Sequence, residues 1–558
     1  MTIKQLADNP QSGSGIYRLL LRAAIHAAGA AAVSLALLAP AWIFHFFCDT
    51  RLTWFSAKYF WIFFSFGIVL AACRSFKVIL ATLGLLAFLE ITQFGSLAYQ
   101  GDFINPYTIG QMFIEISDVA EAAGASLSHL YWVPLVVLIP YAALASLLWL
   151  LRRRLLSTRW ATAGVILFLL FPAIRLHTHS DRKDILKFFP VVSTPTLANT
   201  LNSYAVWATV LLPQSLSESK PASFKPYRLR EIPLPQKGFS VILVMGESFT
   251  FRRMSLYGYH RITTPFLERL ASENRLIAKK GLSAANATRS TMPMFYNLQY
   301  NPLNSEVLQA QEANLFRLAK KHGFRTVYIS AQKANCLNGV RTRFIDTMIT
   351  YDTSSAIFDR FHDDALLRLL KTVILTDRNF IVLHQRNIHA PYAKNYAHRP
   401  RIARFPTKGL DFKTASGNAY DNAVLYNDFL YRRLIEYVGS RFRTPVYVFF
   451  TSDHSELFGQ HGLFGHDHLV LDSYEVPIMF YGLRPEKDFV ERFNKLSWPT
   501  HYELGKMIAD RLGFTLENPN ERPGYFFLNG VSSLGRSGYL YCRKTAGHLP
   551  EVIERHNY

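Results

Sequence analysis

The hydrophobic residues of this chain are concentrated in its first 175 positions, where long apolar runs alternate with short polar loops. A helix needs about 20 mostly apolar residues to cross the hydrocarbon core of a bilayer. The pattern therefore predicts five membrane-spanning helices, at residues 23–47, 56–73, 78–98, 131–151 and 160–175. A cleaved signal peptide is the alternative for the first run, but this run is longer than the apolar segment of a signal peptide, and more spans follow it.

From residue 239 onward, short runs of β-branched and aromatic residues are separated by helical stretches. Such alternation is typical of a mostly parallel sheet covered by helices. The predicted strands are FSVILVM, FRTVYIS, NFIVLHQ, PVYVFFTSDH and VPIMFYG. We therefore predict three parts: a transmembrane domain of five helices at 1–175, a linker with interfacial helices at 176–235, and a soluble α/β domain at 236–558.

The positions of the arginines predict the orientation of the chain in the membrane. Arg18 and Arg22 precede the first predicted span, and residues 152–154, all arginine, lie between the fourth and the fifth. Because short cytoplasmic loops are enriched in Lys and Arg, the N-terminus should be cytoplasmic. Five spans then place the α/β domain on the other side, which is the periplasm in a Gram-negative cell.

Charge and cysteine content narrow the partners and the kind of metal site. The formal net charge is +21, and most of it lies beyond residue 175, which favours an anionic partner such as a membrane surface. No nucleic-acid-binding motif is present, and a domain outside the membrane rarely meets nucleic acid, so we expect no such partner. The four cysteines are too scattered for a disulfide framework or a CxxC zinc site, although a Cys336–Cys542 pair remains open.

Polar side chains follow several of the predicted strands, where ligands bind in parallel sheets. Glu247 follows the first run, and Asp453 and His454 end the fourth. Two carboxylates and one imidazole suit Zn²⁺ or, with more water, Mn²⁺. His389 and His466 could complete a second metal site or bind a phosphate. Any single histidine could instead be structural, but several of these groups at successive strand ends favour a metal site.

Five stretches, in order along the chain, resemble the membrane phosphoethanolamine transferases of the alkaline phosphatase and sulfatase superfamily. The resemblance covers nearly the whole chain, and it implies a sulfatase-like α/β fold behind a five-helix membrane domain. The stretches are VMGESFTFRRMSLYGYHRITTPFLERL, GLSAANATRSTMPMF, LAKKHGFRTVYISAQ, VLHQRNIHAPY and TSDHSELFGQHGLFGHDHL.

The resemblance also implies roles for single residues. Glu247, Asp453 and His454 match the family's zinc ligands, and Thr288, five residues before Pro293, matches its nucleophile and fourth ligand. By the same resemblance, His389 and His466 match histidines that bind a second zinc or the phosphoryl group. A hydroxyl that only caps a helix is the other interpretation of this segment, and it would fit Ser290 or Thr291 equally well.

This likeness implies a zinc-dependent enzyme with one or two Zn²⁺, anchored in the bacterial inner membrane. It would transfer phosphoethanolamine from phosphatidylethanolamine through a phosphothreonine intermediate. The acceptor would be lipopolysaccharide core, lipid A or a periplasmic glucan. The low cysteine content is closer to the core or glucan type than to the disulfide-rich lipid A type.

A shorter likeness concerns the loop before the fourth span. The stretch SDVAEA resembles a family segment that helps to bind the ethanolamine headgroup, which would give Ser117 and Glu121 that role. Phe113 stands where relatives often carry a polar residue, and a plain amphipathic interfacial helix is the alternative. Ser455 stands where relatives usually have Gly after Asp-His, a small change that we expect to be tolerated.

Three other functions are alternatives to this one. A phosphoglycerol transferase of the same superfamily would share the metal and the threonine. A sulfatase would need a CxPxR-type segment, and no such segment occurs. A catalytically silent, membrane-anchored scaffold would have no reason to keep Glu247, Thr288, Asp453 and His454 together.

Overall fold

The structure of the chain is a computed structural model. It describes residues 10–48, 55–99, 103–114, 116–178, 188, 190, 194–213, 225–302, 306–337, 339–340, 342–531 and 538–556. The chain divides into two compact units, residues 1–218 and 219–558. The boundaries at 175 and 235 stay predictions, and much of the expected linker, residues 179–187 and 214–224, lies outside the described residues.

The first unit is helical throughout its described part. Its helices are α1 (Pro10–Phe47), α2 (Ala57–Ala71), α3 (Phe76–Tyr99), α4 (Pro106–Ile114), α5 (Ile116–Leu130), α6 (Trp132–Leu151), α7 (Ala161–Thr178) and α8 (Thr196–Val206). A π-helical turn, Trp207–Leu211, continues α8 within the region where interfacial helices were expected. Apolar side chains of α1, α2, α3, α6 and α7 share one core.

Four of these helices are long and apolar enough to cross a membrane: Tyr17–Phe47 within α1, and α3, α6 and α7. They match the first, third, fourth and fifth predicted spans. The second predicted span forms α2, an apolar helix of 15 residues. At 1.5 Å per residue α2 is about 22 Å long, which is shorter than a bilayer core of about 30 Å.

The second unit is an α/β domain. Its strands are β1 (Arg228–Glu231), β2 (Ser240–Gly246), β3 (Leu276–Leu282), β4 (Arg325–Ser330), β5 (Thr347–Ile349), β6 (Asn379–His384), β7 (Val446–Ser452), β8 (Leu457–Phe458), β9 (Phe464–Gly465), β10 (Glu475–Leu483), β11 (Phe514–Glu517), β12 (Tyr525–Asn529), β13 (Tyr539–Thr545) and β14 (His548–His556). Its helices are α9 (Pro265–Ser272), α10 (Thr288–Tyr296), α11 (Glu306–Ala310), α12 (Leu315–Lys321), α13 (Tyr351–Phe361), α14 (Asp364–Leu370), α15 (Tyr392–Asn395), α16 (Phe412–Arg441), α17 (Lys487–Asn494) and α18 (His501–Arg511).

The central sheet has seven strands in the order β3-β10-β7-β2-β6-β4-β5. The five strands from β7 to β5 are parallel, whereas β10 runs antiparallel to both β7 and β3. All five strands predicted from the sequence lie in this sheet, which confirms the mostly parallel α/β fold. The small sheets β1-β11 and β12-β13-β14 were not predicted.

Both faces of the central sheet are covered, as the apolar strand sequences require. On β2, Val241, Leu243 and Met245 face one hydrophobic core, and Ile242 and Val244 face the other. The buried sheet therefore holds the carboxyl ends of β2, β6 and β7 side by side. Cys336 and Cys542 are buried thiols of this unit and do not form a disulfide with each other.

Candidate metal centre

Glu247 lies directly after β2, at the edge where the parallel strands end. Gly246 allows β2 to approach β7 closely, because a Cβ at this position would meet the Thr451 carbonyl oxygen at 3.0 Å. The next residue, Ser248, has a left-handed backbone with φ of 51°. This turn points the Ser248 N–H at Asp453 Oδ1, 3.0 Å away, and its hydroxyl at Glu247 Oε1, 2.8 Å away.

Asp453 and His454 follow β7, the neighbouring strand. Asp453 Oδ1 accepts hydrogen bonds from the N–H groups of Ser248 and His454, at 3.0 and 2.7 Å, and this leaves Oδ2 directed at Thr288. His454 Nδ1 lies 3.0 Å from the Ser455 carbonyl oxygen. Since a carbonyl can only accept, Nδ1 carries the proton, and Nε2 presents a lone pair to the carboxylates.

Thr288 is the first residue of α10, and its hydroxyl lies among these three side chains. Thr288 Oγ1 is 2.6 Å from Asp453 Oδ2, 3.3 Å from Glu247 Oε2 and 3.4 Å from His454 Nε2. The neighbouring hydroxyls are directed elsewhere. Those of Ser283 and Thr291 both donate to the Ala285 carbonyl.

Ser290 also does not reach the cluster, because its hydroxyl donates to the Ala287 carbonyl at 3.0 Å. Ala287 occupies the N-cap position of α10 and makes no side-chain cap bond. Neither Ser290 nor Thr291 therefore acts as the helix cap that the alternative interpretation of this segment required.

The donor set fits a tetrahedral divalent cation. Metal–ligand distances of about 2.0 Å place neighbouring ligands of a tetrahedron about 3.3 Å apart. His454 Nε2 is 3.4 Å from Glu247 Oε1 and 3.5 Å from Asp453 Oδ2. Thr288 Oγ1 is 3.3 Å from the other Glu247 oxygen, Oε2, and 3.4 Å from His454 Nε2. The hydrogen-bonded pair Thr288 Oγ1–Asp453 Oδ2 is shorter, at 2.6 Å.

The charges of the buried carboxylates and the neutral imidazole also favour a bound cation. Burial raises the pKa of Glu247, and the charge of the adjacent Asp453 raises it further. Burial likewise raises the pKa of Asp453, and it lowers the pKa of His454. Two buried carboxylates in contact repel each other, and a positive charge between them would remove that repulsion.

A second cluster adjoins the first and consists of His454, Glu456 and His466. His466 Nδ1 lies 3.0 Å from Glu456 Oε2, and the rings of His454 and His466 are 4.3 Å apart. Burial raises the pKa of Glu456, but the hydrogen bond and charge of His466, together with the hydrogen bond from Tyr392, hold this pKa below its usual value. Because His454 offers one lone pair, it can complete only one of the two clusters at a time.

His389 lies in the loop after β6, outside both clusters of the described residues. It is partly buried, its main-chain carbonyl accepts a bond from the Asn395 side chain, and its charge lowers the pKa of Glu247. The structure therefore brings Glu247, Thr288, Asp453 and His454 into one cluster, with His466 beside them. Whether His389 and His466 bind a second metal or a phosphate stays a prediction.

The residues predicted to hold a headgroup belong to the other unit. Ser117 and Glu121 lie on α5, and the side chain of Ser117 is outside what the structure describes. Glu121 is partly exposed. Phe113, on α4, stacks on Trp207 with ring centroids 4.7 Å apart. The headgroup role of Ser117 and Glu121 stays a prediction.

Three polar residues of the site were missed by sequence reasoning. Ser248 donates hydrogen bonds to both carboxylates, and Glu456 is a member of the second cluster. Gln332 Nε2 donates to Glu247 Oε2 at 2.6 Å. Gln332 follows β4, so the rule that ligands bind at the carboxyl ends of parallel strands could have identified it. Glu456 stands two residues after His454, in the stretch that already carried the resemblance.

Part of the α/β unit, including the metal-centre residues, matches a known protein family. Residues 240–491 match the family described as Sulfatase. The phosphoethanolamine transferase EptA of Helicobacter pylori is 24% identical over 300 residues, which are 50% of this chain and 54% of that protein. The phosphoethanolamine transferase EptC of Escherichia coli K12 is 25% identical over 417 residues, 69% of each chain. The chain thus spans about half the length of the first relative.

A solved structure supports the same fold. The integral membrane protein lipooligosaccharide phosphoethanolamine transferase A from Neisseria meningitidis superposes with a TM-score of 0.58 at 16% identity. The superposition covers 88% of this chain and 95% of that protein. It shares the arrangement of N-terminal apolar helices followed by an α/β domain with a mostly parallel sheet, which confirms the fold predicted from the sequence.

Proposed function

We propose that this chain, whose residues 240–491 are a sulfatase-family domain, is a membrane-bound, zinc-dependent phosphoethanolamine transferase. Its donor is phosphatidylethanolamine, and its acceptor is a glycan of the bacterial cell envelope, either lipopolysaccharide or a periplasmic glucan. The N-terminus is cytoplasmic, and the α/β domain lies in the periplasm. Two relatives named as phosphoethanolamine transferases support the reaction class.

One observation carries this proposal: the hydroxyl of Thr288 lies within 3.4 Å of two buried carboxylates and a neutral imidazole nitrogen. A purely structural role for this threonine would not explain the two carboxylates beside it, because burying a carboxylate is energetically unfavourable. Glu247, Thr288, Asp453 and His454 would hold the zinc ion, and bound Zn²⁺ would supply the positive charge that favours ionisation of the Thr288 hydroxyl.

Thr288 is the nucleophile of the first step. Its hydroxyl proton leaves by way of Asp453 Oδ2, 2.6 Å away, as Oγ1 bonds to the donor phosphorus. The bond from phosphorus to the glycerol oxygen breaks, and the same proton passes to that oxygen as diacylglycerol leaves. In the second step an acceptor oxygen attacks the same phosphorus, the bond to Thr288 Oγ1 breaks, and the acceptor's proton passes to Oγ1.

His389 and His466 are placed to bind the phosphoryl oxygens, either directly or through a second zinc. Burial lowers the pKa of His466, but the charge of Asp467 and the hydrogen bond and charge of Glu456 together raise this pKa well above its usual value. A protonated His466 would offset the negative charge of a phosphoryl group. Ser117 and Glu121 would contact the ethanolamine headgroup.

The decisive experiment looks for the covalent intermediate. Full-length protein in detergent is incubated with headgroup-labelled phosphatidylethanolamine and no acceptor, and its peptides are examined by mass spectrometry. We expect a phosphoethanolamine adduct on Thr288 together with released diacylglycerol. An adduct formed from phosphatidylglycerol instead would assign the chain to phosphoglycerol transfer, and no adduct from either lipid would favour a silent scaffold.

Two variants sharpen this experiment. Thr288→Ala should abolish the adduct and transfer, a loss of at least about 1,000-fold, because the nucleophile itself is removed. Ser290→Ala is the matched control, since its hydroxyl is two residues away but bonds only to the Ala287 carbonyl. Full transfer by Thr288→Ala, or an adduct lost only in Ser290→Ala, would show that the nucleophile is assigned wrongly.

A further inference from the structure

A cavity of about 350 Å³ lies on the α/β unit between α9, α16 and the loop at residues 400–406. We call it the arginine pocket, because Arg269, Arg401, Arg404 and Arg432 all line it. Its volume falls within the range of about 300–1,000 Å³ that is usual for small-ligand sites. Tyr420, which bonds Ser248 beside the metal centre, lies about 12 Å along α16 from the pocket residue Asp428.

A single acid, Asp428, is found among the residues that line this pocket. Both of its oxygens are already engaged, by the N–H groups of Phe266 at 2.9 Å and Leu267 at 3.0 Å at the start of α9. Burial raises the pKa of Asp428 to about 7, so it carries less than a full negative charge near neutral pH. The pocket therefore keeps a strong positive charge.

The guanidinium groups are weakly paired with the protein's own acids. Arg269 lies 3.9 Å from Glu273, and Arg432 lies 3.8 Å from Glu436; both pairs are long and solvent-exposed. Such pairs contribute about 0–1 kcal/mol and open readily. No carboxylate of the described residues forms an ion pair with Arg401 or Arg404, so these two guanidinium groups are available to a ligand.

The pocket is also held in shape before any ligand arrives. Arg269 and Arg432 lie over the rings of Phe266 and Phe429, at 5.3 and 5.4 Å, which leaves their N–H edges accessible. The loop is fixed to α16 by one buried side chain: Asn422 Oδ1 accepts the main-chain N–H groups of residues 404 and 405, at 2.8 and 2.9 Å. Its arginines are therefore presented from an ordered loop.

These features point to a ligand with more than one phosphate. A guanidinium group binds phosphate oxygens in pairs, and the four guanidinium charges around this cavity exceed the charge of about −2 that a single phosphate carries. We propose that the arginine pocket binds a small organic ligand that carries at least two phosphate groups. This binding goes beyond the proposed transfer reaction, because it needs neither donor nor turnover.

Calorimetry on the full-length protein tests this inference directly. The protein is held in nanodiscs of phosphatidylcholine, which is neutral, and titrated with glucose 1,6-bisphosphate. We expect saturable binding, with inorganic phosphate and glucose each at least about tenfold weaker. The double variant Arg401→Gln/Arg404→Gln should weaken bisphosphate binding by at least about tenfold, because each arginine donates charged hydrogen bonds.

A matched control removes the same charge elsewhere. Arg360 and Arg368 are exposed and lie over the ring of Phe361, at 5.0 and 4.0 Å, outside the pocket. Arg360→Gln/Arg368→Gln should therefore leave the affinity unchanged. If Arg401→Gln/Arg404→Gln fails to fold, Arg269→Gln/Arg432→Gln serves in its place, since both side chains are exposed on helices.

Several outcomes would overturn the inference. They are no bisphosphate binding by the unaltered protein, equal binding by the pocket variant, and an equal loss in the control variant. Binding at the metal centre would appear as affinity that persists in the pocket variant. Equal affinity for inorganic phosphate would contradict the requirement for two phosphates. Pocket-dependent binding to vesicles containing phosphatidylglycerol, without any bisphosphate binding, would identify a membrane surface instead.

Discussion

At the scale of single residues, the metal centre depends on how the two oxygens of Asp453 are divided. Oδ1 accepts main-chain N–H groups, and Oδ2 faces Thr288. An asparagine can keep its carbonyl oxygen in the Oδ1 position and place its amide nitrogen toward Thr288. Asp453→Asn should therefore fold but bind zinc at least about tenfold more weakly, because an anionic ligand is lost. Metal analysis of the purified variant measures this.

Asp488→Asn provides the control for that measurement, because Asp488 is 80% exposed and pairs only with Arg492 four residues away. It should leave the zinc content unchanged. If Asp453→Asn retained full zinc content, the assignment of Glu247, Thr288, Asp453 and His454 as the ligand set would be wrong.

A second prediction at this scale concerns the loop that carries His389. Asp363 is buried and accepts the main-chain N–H groups of Arg386 and Asn387. Burial raises the pKa of Asp363 to about 7, above its usual value of 3.8. A raised carboxyl pKa stabilises the fold below the unfolded pKa, and this contribution is lost as pH rises through about 7.

Asp363→Asn should remove that pH dependence. Between pH 5 and pH 7 the original protein should lose up to about 3 kcal/mol of unfolding free energy relative to the variant, at about 1.4 kcal/mol for each pH unit, with little further change up to pH 9. Thermal unfolding across this pH range measures the difference. Parallel pH profiles for the two proteins would show that Asp363 titrates normally.

How far the site could be predicted also differs from residue to residue. Glu247, Asp453 and His454 follow β-branched runs, so the strand-end rule identified them, and Thr288 came from a resemblance. The same rule could have identified Gln332, which follows β4, whereas Ser248 was missed for a physical reason. Whether a polar side chain after a strand turns toward a neighbouring strand depends on backbone angles such as the left-handed φ of Ser248, and the sequence pattern does not contain them.

At the scale of elements, α18 connects the stability of the fold to the site. Its first residue, His501, accepts the Ala284 N–H at Nδ1, so its Nε2–H donates to the Thr451 hydroxyl at 2.9 Å on β7. Burial lowers the pKa of His501 to about 3, which keeps the ring neutral for this pair of bonds. The start of α18 therefore ties β7 to the segment that leads to Thr288.

The N-terminus of α18 is fixed by a capping box. The Thr500 side chain accepts the Glu503 N–H at 3.3 Å, and Glu503 Oε2 accepts the Thr500 N–H at 2.9 Å. Thr500→Ala should lower the free energy of unfolding by about 1 kcal/mol, and Thr500→Ser should restore most of it. Thermal unfolding measures both variants, and a serine variant as unstable as the alanine one would contradict the role of the hydroxyl.

Elements with a strong local pattern were predicted well, and elements formed by distant pairing were not. The five predicted strands of the central sheet are short and apolar, with β-branched and aromatic residues, and each appears as a distinct run, whereas β3 and β5 of the same sheet were not predicted. In contrast, β1 pairs with β11, with Arg228 opposite Glu517, almost 300 positions away. β1 is mostly exposed and has no apolar pattern of its own, so only the tertiary partner defines it.

At the scale of the whole molecule, the chain joins an apolar helical unit to an α/β unit that has two hydrophobic cores of its own. All four proposed metal ligands, Glu247, Thr288, Asp453 and His454, lie within the second unit. We therefore expect residues 219–558, produced alone, to fold and to bind zinc as the full chain does. Metal analysis and thermal unfolding of this fragment test the expectation.

Transfer, however, should depend on the first unit. A donor lipid stays in the bilayer, so a tethered domain meets it at an effective concentration that a freely diffusing domain lacks, commonly by a factor of about 100 or more. Residues 219–558 should therefore form the Thr288 adduct far more slowly from phosphatidylethanolamine vesicles than the full chain reconstituted in the same lipid. With a soluble short-chain donor tethering gives no advantage, so the two rates should lie much closer together. Because Ser117 and Glu121 are proposed to contact the headgroup, the fragment should still be the slower of the two, and equal rates would show that the helical unit only anchors the domain.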